Sequence, residues 1–340
     1  VSVIIPAKDE ALYIEESLRS ILASDYPRLE LIVADDRSRD RTPQIVSRIS
    51  EEDSRVSMVT IRQLPAGWTG KTHALFQAAN KASGDIFLFT DADTVFAPDV
   101  VSRAVDFLGS RNLDMISLLP GFTKSGFSEN VVHPHLQLGF TYFHPLYEVN
   151  DHSASTGMAS GCFIMIRREV YEEMGTWERF QEQITEDVAL GKAVKAAGKR
   201  LNVLRGGDLV RTRPFERISV ACRFWKRAFY GGLDKSVPKI ARLLANYVIL
   251  SLLCLLFIFS WMLLMVGTVS TASVALFTAS LLAMAAVIVP FSFFLKADER
   301  PWVYGMTAPL GLVISAGVML STLMAVLTDK GIRWRGSSYK

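Results

Sequence analysis

Cysteine is scarce, with three in 340 residues. Cys162, Cys222 and Cys254 are too scattered for a disulfide framework or a cysteine-based zinc site. Histidine is scarce too, five in all. His133, His135 and His144 have no cysteine or acid beside them, and they read as part of an aromatic segment lying against a membrane surface. An excess of one charge is also missing. The 37 basic and 34 acidic residues divide as 31 and 31 up to Arg242, then 6 and 3 beyond it. The net charge of +3 therefore belongs to the C-terminal portion and implies no nucleic-acid partner. The largest absence is local: residues 243–295, fifty-three in a row, contain no Asp, Glu, Lys, Arg or His.

A membrane span needs about 20 apolar residues, so this run holds two. They are placed at 245–268 and 272–295, joined by the turn VSTAS. KADERP ends the run, and a third uncharged segment covers 302–327. Residues 243–328 are thus expected to be transmembrane, followed by a basic tail at 329–340. Residues 205–242 hold ten basic side chains against three acidic ones. That bias sets the preceding domain on the cytoplasmic side of the plasma membrane, where the same residues can meet anionic headgroups. Three full spans would put the basic tail on the other side, against its charge. A re-entrant or interfacial course for 302–327, broken at Pro309, removes that conflict.

What precedes the apolar run alternates. The run VSVII is stopped by Pro6 and followed by a polar turn and an amphipathic helical pattern over 10–23. LELIVADD ends in Asp35 and Asp36, after which Ser38, Asp40 and Thr42 offer helix-cap chemistry ahead of 44–49. A strand at 56–61, a loop at 63–70 and a helix over 71–82 lead to IFLFTDAD, which ends in Asp91 and Asp93. Strand and helix in alternation imply a parallel sheet with right-handed crossovers, and ligands sit beyond its carboxyl ends. Residues i and i+2 of a strand share a side, so Asp91 and Asp93 leave the sheet together as a hard-oxygen pair suited to Mg²⁺ or Mn²⁺.

These residues resemble the family-2 glycosyltransferases of GT-A fold. VSVIIPAKDE is similar to that family's opening strand and turn, and VADDRSRDRT to its V-x-D-D-x-S-x-D-x-T signature. GWTGKTHALFQAANKASGDIFLFTDADT matches the run from its Gly-Lys loop to its Asp-x-Asp, and Thr185-Glu186-Asp187 its Thr/Glu-Glu-Asp motif. The resemblance covers about 1–235 and implies an α/β fold with a mostly parallel central sheet, here followed by transmembrane helices. It implies a cytoplasmic catalytic domain over 1–235, in which 127–150 and 214–233 are interfacial. It also implies a nucleotide-sugar donor, with Pro6, Asp35, Asp36, Lys71, Asp91 and Asp93 on the donor side. One of Asp35 and Asp36 would hold the base, which suits uracil and hence UDP.

Breaking the bond from sugar to diphosphate puts negative charge on the leaving oxygens, and a divalent ion on Asp93 and Asp91 would neutralise it. Lys71 starts a helix whose backbone N–H groups favour phosphate. By resemblance Asp187 is the base, on the far side of the sugar, and one base opposite one leaving group implies inversion. Read without the other motifs, Glu186 and Asp187 would be ordinary acids of a helix N-terminus. GWTGKT is not a P-loop, because Gly67 leaves only two residues before Gly70-Lys71.

On the acceptor side Thr185, Glu186, Arg223 and Trp225 are candidates. In ACRFWKRAFYGG, Ala221 and Phe224 stand where processive relatives carry polar residues, which argues against polymer synthesis. Trp225 reads equally as an interfacial anchor. The segment, the GWTGK loop and the closing IRWRGSSY resemble the subgroup that glycosylates carotenoids and hopanoids, although Ser337 replaces that tail's arginine. The expected acceptor is a hydroxyl or carboxyl of a terpenoid-like membrane lipid. A polyprenyl phosphate acceptor, polysaccharide synthesis and an inactive membrane scaffold are the alternatives. Membrane relatives often carry a helix just ahead of this first strand, and Val1 is not an initiator methionine, so a fragment of a longer protein is expected.

Overall fold

The computed structural model describes residues 1–340 apart from 124–125, 216, 268, 329–330, 335–336 and 340. The chain forms two compact units, Val1–Lys124 with His144–Arg213, and Ser125–Phe143 with Pro214–Lys340.

The first unit begins with β1 (Ser2–Ala7), α1 (Ile14–Leu22), β2 (Glu30–Asp36), α2 (Thr42–Glu52), β3 (Val56–Ile61) and α3 (Gly70–Ala79). It continues with β4 (Ile86–Phe89), β5 (Thr94–Phe96), α4 (Val100–Ser110) and β6 (Met115–Phe122). The chain then contributes a π-helical turn, Ser128–Val132, and α5 (His133–Phe143) to the second unit. It returns as α6 (Leu146–Val149), β7 (Ile164–Arg167), α7 (Arg168–Glu173), α8 (Glu186–Ala196) and β8 (Leu201–Thr212).

One sheet joins the eight strands in the order β3-β2-β1-β4-β7-β6-β8-β5. Pairing is parallel from β3 to β4 and between β6 and β8, so only β7 and β5 run against the rest. The mostly parallel sheet is the expected one. On one face Ile14, Leu18 and Ile21 of α1, spaced four and three apart, pack with Val3, Ile5, Leu31 and Val33 into the main core. Alternation places Asp35 on the face of Leu31 and Val33, and Asp36 on the opposite face, where α3 packs.

Pro6 does not stop β1. It pairs with Ala34 inside the strand. Ile4 directs its carbonyl to Thr90 N–H on the β4 side, and residues two apart share an edge, so Pro6 turns its nitrogen that way too. The β4 ladder has already ended at Ile4, and the missing N–H costs no bond.

Ser38, Asp40 and Thr42 do more than cap α2, where Asp40 accepts from Thr42 N–H at 2.9 Å while Arg41 in the N-cap position makes no side-chain bond. They clamp the loop after β1. Ser38 accepts from Asp9 N–H at 3.0 Å, Thr42 from Glu10 N–H at 2.8 Å and Asp40 from Ala11 N–H at 2.9 Å. Those bonds hold the loop in a turn, and α1 starts at Ile14 rather than at residue 10.

The second unit adds α9 (Ile218–Gly232), α10 (Val237–Val266), α11 (Thr271–Ala297), a 3₁₀ turn at Trp302–Thr307 and α12 (Ala308–Leu327). A hairpin of β9 (Ile332–Trp334) and β10 (Ser337–Tyr339) closes it; Arg335 and Gly336 of the tail motif lie outside the described residues. Three segments, Val237–Val266, Thr271–Ala297 and Trp302–Leu327, are long and apolar enough to cross a membrane. Pro309 does not break the third. It lies in the first turn of α12, where a missing N–H is tolerated.

Ser260 and Ser280, both buried, join α10 to α11 through their hydroxyls at 2.6 Å. At the start of α10, Lys239 lies over Phe143 and Arg242 over Tyr142. Trp225 is buried among Phe140, Phe224, Phe229 and His133, so it is core here rather than an exposed anchor. His135 stacks on Phe291 with ring centroids 3.9 Å apart. Burial holds His133 and His135 down at about 3, with the Arg300 charge adding to the effect at His133.

Candidate functional site

The acidic motifs meet in the first unit, beyond the carboxyl ends of β1, β2 and β4. β4 stops at Phe89, so Asp91 and Asp93 lie in the turn before β5 rather than on a strand. Their shared location comes from that turn and from two cations. Lys71 Nζ is 2.6 Å from Asp91 Oδ1 and 2.7 Å from Glu186 Oε1. Arg213 Nε, at the end of β8, is 2.9 Å from Asp93 Oδ2.

Lys71 is positioned by the start of α3. Thr69 caps that helix by accepting from Thr72 N–H at 3.1 Å, and both threonines donate to the Gln181 carbonyl, Thr69 through its N–H at 2.7 Å and Thr72 through its hydroxyl at 2.8 Å. Trp68 packs on His73 and Phe76 of the same helix. Gly70 is required by close approach, since a Cβ there would collide with Asp36 Oδ2.

Glu186 and Asp187 do open a helix, as acids often do. They also reach the site. Asp187 Oδ2 accepts from Gly161 N–H at 2.9 Å and Oδ1 from Val188 N–H at 2.8 Å, which fixes both carboxylate oxygens. A Cβ on Gly161 would stand 2.8 Å from Lys71 Nζ and 3.4 Å from both Asp187 Oδ2 and Asp91 Oδ2. Lys71, Asp91 and Asp187 therefore converge on one cradle whose floor is a glycine.

Asp35 and Asp36 differ. Asp36 is paired with Arg37 at 2.7 Å and Lys8 at 3.6 Å. Asp35 is buried, and its Oδ1 has no hydrogen-bond partner. Thr185 is buried at the start of α8. Arg223 and Trp225 fall in the second unit.

Sequence reasoning missed Gly161, Cys162, Arg213, Glu10 and Tyr13. Cys162 Sγ lies 3.8 Å from Asp91 Oδ2, and desolvation, with the charges of Asp91 and Asp93, pushes its thiol well up. Arg213 sits with its guanidinium 4.3 Å from the Tyr13 ring centroid and 4.0 Å from Glu10 Oε2. Burial works against its charge, yet Asp93 and Glu10 outweigh it and raise its pKa. The signal for Arg213 was present as one of the basic residues before the first apolar helix.

Among the described residues, no three His, Cys, Asp or Glu side chains gather to hold an ion by themselves. Asp91 and Asp93 still suit a hard divalent cation completed by phosphate oxygens. Along the contacts from Glu10 through Asp93 and Asp91 to Glu186 and Asp187 there are five carboxylates and two cations, Lys71 and Arg213. That surplus of negative charge fits an added cation.

Residues 2–175 match the profile of glycosyl transferase family 2. The chain belongs to that family. It is 28% identical over 194 residues to "Probable glycosyltransferase YdaM" of Bacillus subtilis (strain 168), covering 56% of this chain and 45% of that protein. It is 25% identical over 259 residues to 4,4'-diaponeurosporenoate glycosyltransferase of Staphylococcus haemolyticus, covering 73% of this chain and 66% of the relative. The chain thus spans about half to two thirds of the length of these relatives. The fold is similar to that of the mannosyltransferase PcManGT from Pyrobaculum calidifontis, solved with GDP-Man and Mn²⁺, with a TM-score of 0.50 at 20% identity, over 97% of this chain and 87% of that one.

Proposed function

We propose that this chain is a membrane-bound, inverting glycosyltransferase that moves a sugar from a nucleoside diphosphate, UDP by preference, to a hydroxyl or carboxyl of a terpenoid-like membrane lipid. The observation that carries it is the cradle over Gly161, where a cation, a donor-side carboxylate and a separately held carboxylate face one point. Two further findings support the membrane and lipid parts: three apolar helices, and curated relatives named for glycosyl transfer to diaponeurosporenoate. The ten basic residues of 205–242 support a cytoplasmic catalytic unit.

Each residue then has a task. Asp35, with its buried unpartnered Oδ1, accepts from the imide N–H of the base. Lys71 and the N-terminus of α3 attract the diphosphate. Asp187, held by the Gly161 and Val188 N–H groups, takes the proton from the acceptor as it attacks from the side opposite the diphosphate. Asp91 and Asp93 would hold Mg²⁺ or Mn²⁺, which when bound supplies Lewis-acid neutralisation of the leaving group.

Calorimetry on the full chain in detergent tests the donor half. UDP is expected to bind more tightly than ADP, to require Mn²⁺ and to lose binding in Asp93→Ala. Equal UDP affinity in EDTA would overturn the metal assignment, and equal competition by ADP would overturn the base. Membranes supplied with a panel of nucleotide sugars and lipid extracts test transfer; no lipid-linked sugar from any donor would sink the activity itself.

A further inference from the structure

Asp93 is a prospective metal ligand without a strand to steady it. It lies in the turn between Phe89, the end of β4, and Thr94, the start of β5, and its side chain is only 17% exposed. A carboxylate on such a turn gains a defined rotamer from contacts reaching it from outside the turn. Arg213 makes such a contact from the opposite end of the chain's catalytic unit, through Nε to Asp93 Oδ2 at 2.9 Å. The guanidinium is itself fixed by the Tyr13 ring at 4.3 Å and by Glu10 at 4.0 Å, both from the loop after β1. That loop is clamped in turn by Ser38, Asp40 and Thr42.

We propose that Arg213 is the positioning residue for Asp93, presenting its carboxylate to the divalent ion of the donor complex. Three segments far apart in sequence share one orientation: the loop after β1, the turn after β4 and the end of β8. The planar guanidinium matters because its N–H directions are fixed, whereas an ammonium would be a point charge on a freely turning stem. Groups that orient metal ligands in this way typically contribute about 10–100-fold to metal affinity or activity. The inference rests on the donor reading above, since it assigns a role within that same site.

The test is Mn²⁺ binding to the full chain in detergent with saturating UDP, followed by calorimetry, alongside donor kinetics and thermal unfolding. Arg213→Ala is expected to weaken Mn²⁺ binding about 10–100-fold and to raise the donor KM more than it lowers kcat. Arg213→Gln, which can still donate to Asp93 without a charge, is expected to recover most of the Mn²⁺ affinity, and Arg213→Lys less. Unchanged or tighter Mn²⁺ binding in Arg213→Ala, with wild-type binding intact, would overturn the inference alone, because the guanidinium would then be a bystander or a competitor of the ion. Weaker binding that no variant rescues, together with a lowered unfolding temperature, would make the role structural and also overturn it. A wild-type chain that binds neither UDP nor Mn²⁺ would overturn both the donor reading and this assignment.

Discussion

In the first unit Glu186 is buried as a partner of the Lys71 ammonium, at 2.7 Å, while in the second desolvation holds the rings of buried His135 and half-buried His133 neutral, at about 3. Both arrangements answer the cost of removing a charge from water. Pairing with an opposite charge keeps the charge at the site, whereas desolvation favours the neutral ring. The first unit supplies cations to its carboxylates, Lys71 to Asp91 and Glu186 and Arg213 to Asp93. Among the apolar helices some hydroxyls bond to a carbonyl of their own helix, as Ser251 does to Tyr247 and Thr322 to Val318. Ser260 and Ser280 illustrate this: one hydroxyl donates to the other, and the hydroxyl that accepts is left to donate to a carbonyl of its own helix at 2.9 Å, that of Phe257 for Ser260 or Phe277 for Ser280.

The sharpest way to break the contrast is to remove proton acceptance while keeping shape. Asp187→Asn keeps the size and can still accept from Gly161 N–H through its one oxygen, giving up the bond from Val188 N–H, and transfer is expected to fall about 10²–10⁴-fold with little change in UDP affinity. Assays of transfer and calorimetry of UDP on the same preparation separate the outcomes. Unchanged transfer would dismiss Asp187 as the base and favour an acceptor already ionised, such as a phosphate. A matching loss of UDP binding would mean that Asp187 organises the site.

A middle-sized effect should come from acid. The folded values of His133 and His135 lie below the ordinary 6.5. Between those limits the unfolded chain binds protons that the folded one refuses, so stability falls as pH drops through about 6.5 toward 3. At pH 5 the loss relative to pH 8 is about 2 kcal/mol per histidine. Unfolding in detergent across this range should show it, and a His133→Phe, His135→Phe double variant should flatten the part due to these rings. Identical pH profiles for variant and wild type would show that the two rings do not titrate on unfolding.

The smallest effect concerns the serine pair. Ser260→Ala is expected to lower stability by about 0.6 kcal/mol, the usual worth of a hydrogen bond between membrane helices. A double-mutant cycle with Ser280→Ala measures it. Zero coupling would leave the hydroxyls bonded to their own helices alone, and the pair would then add nothing between α10 and α11.

Much of this molecule was legible in one dimension. Apolar runs of strand length ending in Asp35–Asp36 and near Asp91–Asp93 mark strand ends, because burial on both faces demands continuous apolar residues and the edge beyond demands polar ones. Long uncharged runs read as helices for the same reason. Local rules failed where partners were distant. Pro6 read as a stop because nothing local says that the neighbouring ladder ends at Ile4. Ser38, Asp40 and Thr42 read only as caps because their further partners, the N–H groups of residues 9–11, lie some thirty positions away.

The chemistry divides along the same line. Residue types and short spacings determined which groups are available: carboxylates for a cation, a lysine at a helix start, acids opening α8, apolar helices for a bilayer. Only the tertiary structure decided which of them meet. Lys71 joins Asp91 to Glu186, Gly161 provides the floor that a side chain would fill, and Arg213 leaves the count of basic residues near the membrane to hold Asp93. The reason is that hydrophobic periodicity acts between near neighbours. A hydrogen bond or an ion pair acts over about 3 Å of space, whatever the distance along the chain.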